Sequence, residues 1–324
     1  MNIDKKDRKI LYILDRNARQ SYSLIGKKVG LHRSNVINRT EKLKKMGVIF
    51  NFPTYVDLSK LGYNINRFYF ILQYLTPEIK NNIIKDFVQS KYSLFVATAE
   101  GQIDLSVYFA IKNVYDFYRE WSSFYSKYRN YFSKIFFSQW CFEYEYPYSF
   151  LLYDNPKDRS DIDNVRTYGG GPIIKIDELD LKILQILTAD SRTPTSEIAQ
   201  ILKCTTNTVS KRIRNLQKTG VIKGFHIDLH FTKLDYKMIR VDINLKDYNE
   251  MNKINKYIIT NQFVRCRYIS IGDTADLEYE IYFKNINELN SMMEDLIRKF
   301  PDKIRNYSYH RSLERYKNKF VPDY

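Results

Sequence analysis

Displacing the sequence by 173 residues lays Asp4–Tyr63 over Asp177–Tyr236 with no gap, and 21 of the 60 paired positions are identical. DKKDRKILYIL meets DELDLKILQIL, and KKMGVIFNF meets QKTGVIKGF. Register kept over that length indicates duplication of one folded unit, and the period is too long for a solenoid, so tandem domains are expected. The length of 324 residues also exceeds one ordinary core, and 44% apolar residues are enough to bury several.

Each copy reads as three short helices and a β-wing. Asp4 is a plausible N-cap for a helix over 4–14 with Ile10, Leu11 and Leu14 buried; its copy, 177–187, buries Leu181, Ile183, Leu184 and Leu187. Leu24, Ile25 and Val29 belong to a second helix, capped by Ser21 or Ser23 and, in the copy, by Thr195. Gly30 closes it in the left-handed conformation that glycine tolerates best. A third helix follows near Arg33–Met46 and Thr206–Thr219, with Val36, Thr40 and Leu43, or Val209, Ile213 and Leu216, facing a core. Gly47 ends the first of these, and Val48-Ile49-Phe50 reads as a strand.

The outward stripes of the third helices are Asn35, Asn38, Lys42 and Lys45, and Thr208, Lys211, Asn215 and Lys218. This is a helix-turn-helix outline, whose second helix can enter a DNA major groove. Asn can bond an adenine edge bidentately, Lys and Arg can meet guanine or phosphate, and hydroxyls near a helix N-terminus suit phosphate. The candidate DNA-contacting residues are therefore Arg33, Ser34, Asn35, Asn38, Arg39, Lys42 and Lys45. In the second copy they are Thr206, Asn207, Thr208, Lys211, Arg212, Asn215 and Lys218. The net charge of +15 favours an anionic partner. It is unevenly placed: residues 1–63 hold 14 Lys/Arg and 5 Asp/Glu, whereas 174–236 hold 10 and 7.

After each winged unit the texture changes. INRFYFILQYL alternates as a strand, a helix starts at Thr76-Pro77, YSLFVATA and IDLSVYFAI form a hairpin, and a helix over 113–131 precedes the strand KIFFSQWCFEYEY. The order β-α-β-β-α-β is ferredoxin-like, and residues 236–324 repeat it. The expected fold class is α+β, with winged units at 1–63 and 174–235 and ferredoxin-like units at 64–153 and 236–324. The Pro-, Asp- and Gly-rich stretch 154–173 reads as a linker. The aromatic segment Tyr115–Tyr148 fits core or an oligomer interface better than base stacking.

Other functions find little support. No apolar run approaches a membrane span, and the charged N-terminus lacks a secretion signal, so a cytoplasmic protein is expected. Cys141, Cys204 and Cys266 have no CxxC spacing and read as reduced. His226 and His230, four apart on a strand, are some 13 Å apart by strand rise, too far for one metal. No catalytic set stands out, and no metal or cofactor is expected.

On the D-x-x-D-x-K-I-L pattern at Asp4–Leu11 and Asp177–Leu184, and the R-x-x-x-L-x-x-x-G-V-I pattern of Arg39, Leu43, Gly47-Val48-Ile49 and of Arg212, Leu216, Gly220-Val221-Ile222, the chain resembles the Lrp/AsnC transcriptional regulators. That resemblance implies winged DNA-binding units joined to ferredoxin-like sensing and assembly domains, modulated by a small molecule such as an amino acid. It also places a G-x-x-D pattern near the effector, matched by Gly101 and Asp104 and, one residue longer, by Gly272 and Asp276. Thr40 departs from the family's usual Ile or Val. The family normally has one unit per chain; two units joined in one chain could form an intramolecular pseudo-dimer, or chains could associate through the ferredoxin-like domains. The two outward stripes differ, Ser34-Asn35-Ile37-Asn38 against Asn207-Thr208-Ser210-Lys211, which predicts unlike half-sites in double-stranded DNA. The alternatives are a sirohaem-decarboxylase-like enzyme on the same fold, or a partner-binding protein with degenerate DNA binding.

Overall fold

The computed structural model describes residues 3–152 and 159–322. The first half runs α1 (Lys5–Arg16), α2 (Tyr22–Val29), α3 (Arg33–Lys45), β1 (Ile49–Asn51), β2 (Thr54–Val56), β3 (Asn64–Leu72), α4 (Pro77–Gln89), β4 (Ser93–Gly101), β5 (Leu105–Ile111), α5 (Val114–Tyr128) and β6 (Phe132–Glu145). A short strand, β7 (Arg166–Tyr168), precedes the second half. This comprises α6 (Glu178–Ala189), α7 (Thr195–Ile201), α8 (Thr206–Lys218), β8 (Ile222–Phe225), β9 (Asp228–Leu229), β10 (Lys237–Leu245), α9 (Met251–Ile258), β11 (Val264–Gly272), β12 (Leu277–Phe283), α10 (Ile286–Lys299) and β13 (Ile304–Asn318).

The duplicated motif has a local cause. Asp4 caps α1 by accepting from Asp7 N, and Asp7 returns the bond to Asp4 N; Asp177 and Asp180 repeat this reciprocal cap on α6. Arg39 on α3 then reaches back to Asp4 and Asp7, at 2.7 Å each, and Arg212 reaches Asp177 and Asp180 at 2.6 and 3.1 Å. The shared aspartates and arginine thus clamp the first helix of each unit to the third. Thr40 is fully buried and donates its hydroxyl to Val36 O at 2.8 Å, so the polar residue in the α3 core is satisfied within its own helix.

Two expected details of the short helix differ. Leu24 is exposed, because the turn presents Ile25, Gly26 and Val29 inward. Ser21 caps α2 by accepting from Leu24 N, but the matching position in the copy is Pro194, and Thr195 is the first helical residue rather than a cap. The copy also places Lys203, at φ +52, where Gly30 sits at φ +66. Lys203→Gly is therefore expected to stabilise the protein by about 0.5–1 kcal/mol, read as a small rise in thermal midpoint.

The wings are exchanged between the halves. β1 pairs antiparallel with β9, and β2 with β8. The bonds around them obey the same repeat: Ala18 N donates to Phe225 O and Ser191 N to Phe52 O, while Asp57 N donates to Val221 O and His230 N to Val48 O. Arg19 bonds the carbonyls of Ser191 and Thr193, and Arg192 those of Ala18 and Gln20. Ile10, Leu14 and Val36 of the first unit and Ile183, Leu187 and Val209 of the second consequently share one apolar core.

The ferredoxin-like units join by their edges. Within them the strands lie β6-β3-β5-β4 and β11-β12-β10-β13; β13 pairs with β4, and β11 with β6, so among the described residues eight strands close into a barrel. Helices α4, α5 and α9, α10 cover its outside on two apolar clusters. Within α5, Phe117, Trp121 and Phe124 supply core, whereas Tyr115 and Tyr118 face solvent. The inside of the barrel is polar. Gly101 and Gly272 sit at the two seams with φ of +109° and +121°, where a Cβ would come within 2.8 Å of Tyr309 O and 2.5 Å of Phe137 O. Glycine there permits the halves to meet.

The stretch 154–173 is not only a linker. Residues 154–158 fall outside the described residues, but Arg166–Tyr168 adds a strand to β6, and Ile174 N bonds Lys60 O.

Candidate nucleic-acid interface and barrel cavity

The helical pattern that buries Val36, Thr40 and Leu43 turns the opposite side of α3 to solvent. Arg33, Ser34, Asn35, Asn38, Lys42 and Lys45 are all exposed there, and His32 caps the helix by accepting from Ser34 N. On α8, Thr206, Asn207, Lys211, Asn215 and Lys218 are exposed, while Thr208 is half-buried, its hydroxyl 2.8 Å from that of the capping Thr205. Among the described residues, Lys42, Lys45, Lys211 and Lys218 are in no salt bridge, so their charges are free to meet phosphate. Arg39 and Arg212 are different: the aspartate clamp holds both guanidinium groups, although each side chain stays about one-third exposed.

The four G-x-x-D residues serve the barrel's construction. Asp104 accepts from Leu72 N at 2.7 Å and Asp276 from Leu245 N at 2.6 Å, fastening each hairpin to the neighbouring strand. With Gly101 and Gly272 at the seams, none of the four lines the cavity of about 370 Å³ that opens elsewhere. That cavity lies between the inner barrel face, the wing strands β2 and β9, and residues 318–320. Its walls are aromatic, including Tyr55, Tyr108, Trp140, Tyr148, Tyr268 and Tyr282, with Glu143, Glu145, Glu280, Arg240, Arg265 and His310 among them.

Sequence reasoning missed the ionic network at one end of this cavity. Arg265 on β11 donates to Asp15 of α1 at 3.0 Å and to Glu145 of β6, and its guanidinium stacks 3.6 Å from the Tyr148 ring centre. His226, between β8 and β9, lies 3.2 Å from Glu145 and is stacked by Tyr55 at 3.8 Å; Tyr168 donates to Glu145 at 2.5 Å. Burial alone would raise the Asp15 and Glu145 carboxyls, but the Arg265 guanidinium, with His226 and Arg166 nearby, holds both below the usual carboxylate range. Ligand atoms of Asp15, Glu145 and His226 fall within 4.8 Å of one another, the spacing of a metal site. Arg265 already supplies the cation that those carboxylates need. The network joins a helix of the first winged unit, the wing of the second and both sheets.

A second cluster spans the barrel. Glu278 on β12 meets Arg67 of β3 at 2.7 Å and also Arg240 of β10; Arg67 further donates to Ser138 and Ser270 hydroxyls at 2.9 and 2.5 Å. Arg67 and Arg240 are again 173 residues apart.

Two winged helix-turn-helix units with free basic and amide stripes define the class of a DNA-reading protein. The AsnC-type helix-turn-helix domain matches twice, at residues 3–44 and 176–217. An uncharacterised HTH-type transcriptional regulator of Pyrococcus furiosus is 31% identical over 148 residues, covering 45% of this chain and 97% of that protein. The HTH-type transcriptional regulator LysM of Sulfurisphaera tokodaii is 37% identical over 121 residues, covering 37% and 84%. The chain belongs to the Lrp/AsnC family of helix-turn-helix transcriptional regulators, in a tandem duplicated form. A solved siroheme decarboxylase, NirDL, is similar over the whole architecture, covering 97% of this chain and 93% of its own, with a TM-score of 0.62 at 14% identity. That likeness is one of fold. Among the described residues no helix is long and apolar enough to cross a membrane.

Proposed function

We propose that this protein is a transcriptional regulator that reads double-stranded DNA with two unlike heads held in one pseudo-symmetric body. The observation that carries this is the pair of solvent-facing stripes on α3 and α8, equivalent in position but different in chemistry. Asn35, Asn38, Lys42 and Lys45 serve one half-site; Thr208, Lys211, Asn215 and Lys218 serve the other, with Arg33, Ser34, Thr206 and Asn207 near the helix N-termini positioned for phosphate. Arg39 and Arg212 act by holding the reading helices in place. The coarser part of the reading rests on the regulator relatives and the two AsnC-type domains.

The enzyme alternative gains little from the histidines. His226 is fully buried in the network, His32 caps α3, and His230 sits at the end of the exchanged wing. His310 lines the cavity, but burial, with Arg240 and Arg67 nearby, lowers it to about 4, so it is neutral near pH 7 and offers no imidazolium to a carboxylate ligand.

Selection from random duplex DNA, with the enriched sites re-measured at two salt concentrations, tests the proposal. A two-part asymmetric motif with a steep salt dependence is expected, whereas a symmetric palindrome bound best would refute two unlike heads. Replacing Lys42 and Lys45 by Ala should flatten the salt slope by roughly one to two units. An unchanged slope would place both lysines away from phosphate.

A further inference from the structure

The barrel cavity is lined by two carboxyls that, among the described residues, are salt-bridged to no lysine or arginine. Glu143 on β6 and Glu280 on β12 both line it. Strand register sets Glu143 beside Tyr268 and Glu280 beside Cys266 on the intervening β11, two residues apart on one face. Glu280 accepts from the Tyr268 and Tyr282 hydroxyls at 3.1 and 2.9 Å, both neutral donors. Among the described residues, neither carboxyl forms a salt bridge, although Glu143 is only 9% exposed. The neighbouring carboxylates are treated differently: Glu145 meets Arg265, and Glu278 meets Arg67 and Arg240. Those arginines are already committed.

A separate observation comes from the opposite wall. Ser106 on β5 lines the same cavity, is 2% exposed, and its hydroxyl has no hydrogen-bond partner among the described residues. Counted from Asp104 and Asp276, which fasten the two hairpins, Ser106 is the counterpart of Glu278, so a small hydroxyl stands where the other half places its ion-pairing carboxylate. A buried hydroxyl without a partner is costly unless something fills it. The same cavity is lined by Trp140 and Tyr108, whose ring faces attract cations. The volume of about 370 Å³ is at the small end of ligand pockets, roughly 300–1,000 Å³.

We propose that this cavity binds a small alkylammonium ligand, a primary amine or linear diamine without a carboxylate, held between Glu143 and Glu280 with its N–H groups also reaching Ser106. Carboxyls and aromatic faces suit an N–H-bearing cation; burial keeps a proton on Glu143 up to about pH 8 in the empty cavity, and an arriving ammonium displaces that proton to solvent. Tyr55 and Asp228 of the exchanged wings form part of the wall, so an occupied cavity bears directly on the elements that carry the reading helices. Action as an effector rests on the DNA-reading function proposed above; the binding itself does not.

Titration calorimetry of the full chain with putrescine, tetramethylammonium and acetate tests the site. Putrescine is expected to bind, acetate not at all, and tetramethylammonium more weakly because it has no N–H to donate. Glu143→Gln and Glu280→Gln should each weaken putrescine binding about tenfold or more, as expected for losing a charge-assisted hydrogen bond, and Ser106→Ala a few-fold. Cooperative melting of each variant separates lost binding from lost folding. Absence of putrescine binding, equal binding by Glu143→Gln, or preference for acetate would overturn the site. DNA affinity measured with and without putrescine then separates the two claims: binding that leaves DNA affinity unchanged overturns the effector role alone, and binding by a chain that reads no DNA upholds the site while refuting the regulator.

Discussion

Glu278→Gln should lower the unfolding free energy by about 3–5 kcal/mol, the usual cost of removing one partner from a buried ion cluster. Glu278 and Arg67 are each under 3% exposed, and Arg240 is 6% exposed. The single carboxylate of Glu278 serves arginines from both halves, so its neutralisation leaves Arg67 with no carboxylate partner among the described residues and Arg240 with Asp242 alone, at 3.4 Å. The cost should appear as a lower denaturant midpoint with an unchanged slope. Arg67→Met in the same background should recover part of the loss, because it removes one stranded charge and keeps the volume. If Glu278→Gln melts like the parent, the barrel is not held by this cluster.

Glu143→Gln is expected to stabilise the protein, and increasingly so as pH rises. Burial, with Glu145 nearby, pushes the Glu143 carboxyl up to about 8 from an ordinary 4.5. Between those values the folded protein holds a proton that the unfolded chain has released. Stability from this group is therefore complete below about pH 4.5 and is lost progressively as pH rises to about 8. The Gln variant lacks that loss, so its advantage over the parent should grow through the same window, reaching a few kcal/mol at the alkaline end. Urea unfolding of both proteins between pH 5 and pH 8 measures the difference, and parallel stability profiles would refute it. Thermal unfolding of Glu143→Gln alone, at one pH, would miss the effect.

The reading units were legible because their determinants are local. A capping aspartate, a left-handed glycine and apolar residues at helical spacing each specify structure within one turn, and α1, α3, α6 and α8 form where those signals lie. The aspartate clamp of Arg39 and Arg212 was hidden for the same reason: their place on a basic helix was visible, but their aspartate partners are 32 and 35 residues away. The wing exchange was not legible, since a strand of two to four residues says at most that it pairs without saying with what. The inner barrel was hidden by its polarity. Arg67, Arg240, Glu143 and Glu278 alternate with apolar residues as they would on a strand with one wet face, yet that face looks onto the other half. One clue was present: Arg67 and Arg240 continue the 173-residue register past the aligned segment. The three-residue strand at Arg166 was lost among linker residues, because it is fastened by Glu145 and the α1 carbonyls rather than by any pattern of its own.

The exchanged wings have a consequence for how such a protein changes over time. When two identical chains trade wings, every substitution is made twice, and subunits from a related gene can enter the pair. Here the exchange takes place within one polypeptide, so folding is unimolecular and the melting temperature should not depend on protein concentration unless chains associate further. A change at Asn38 leaves Lys211 untouched, and no foreign subunit can dilute the result. Each half is free to drift toward its own sequence of bases while its partner stays fixed, which is the condition for evolving an operator with two different ends.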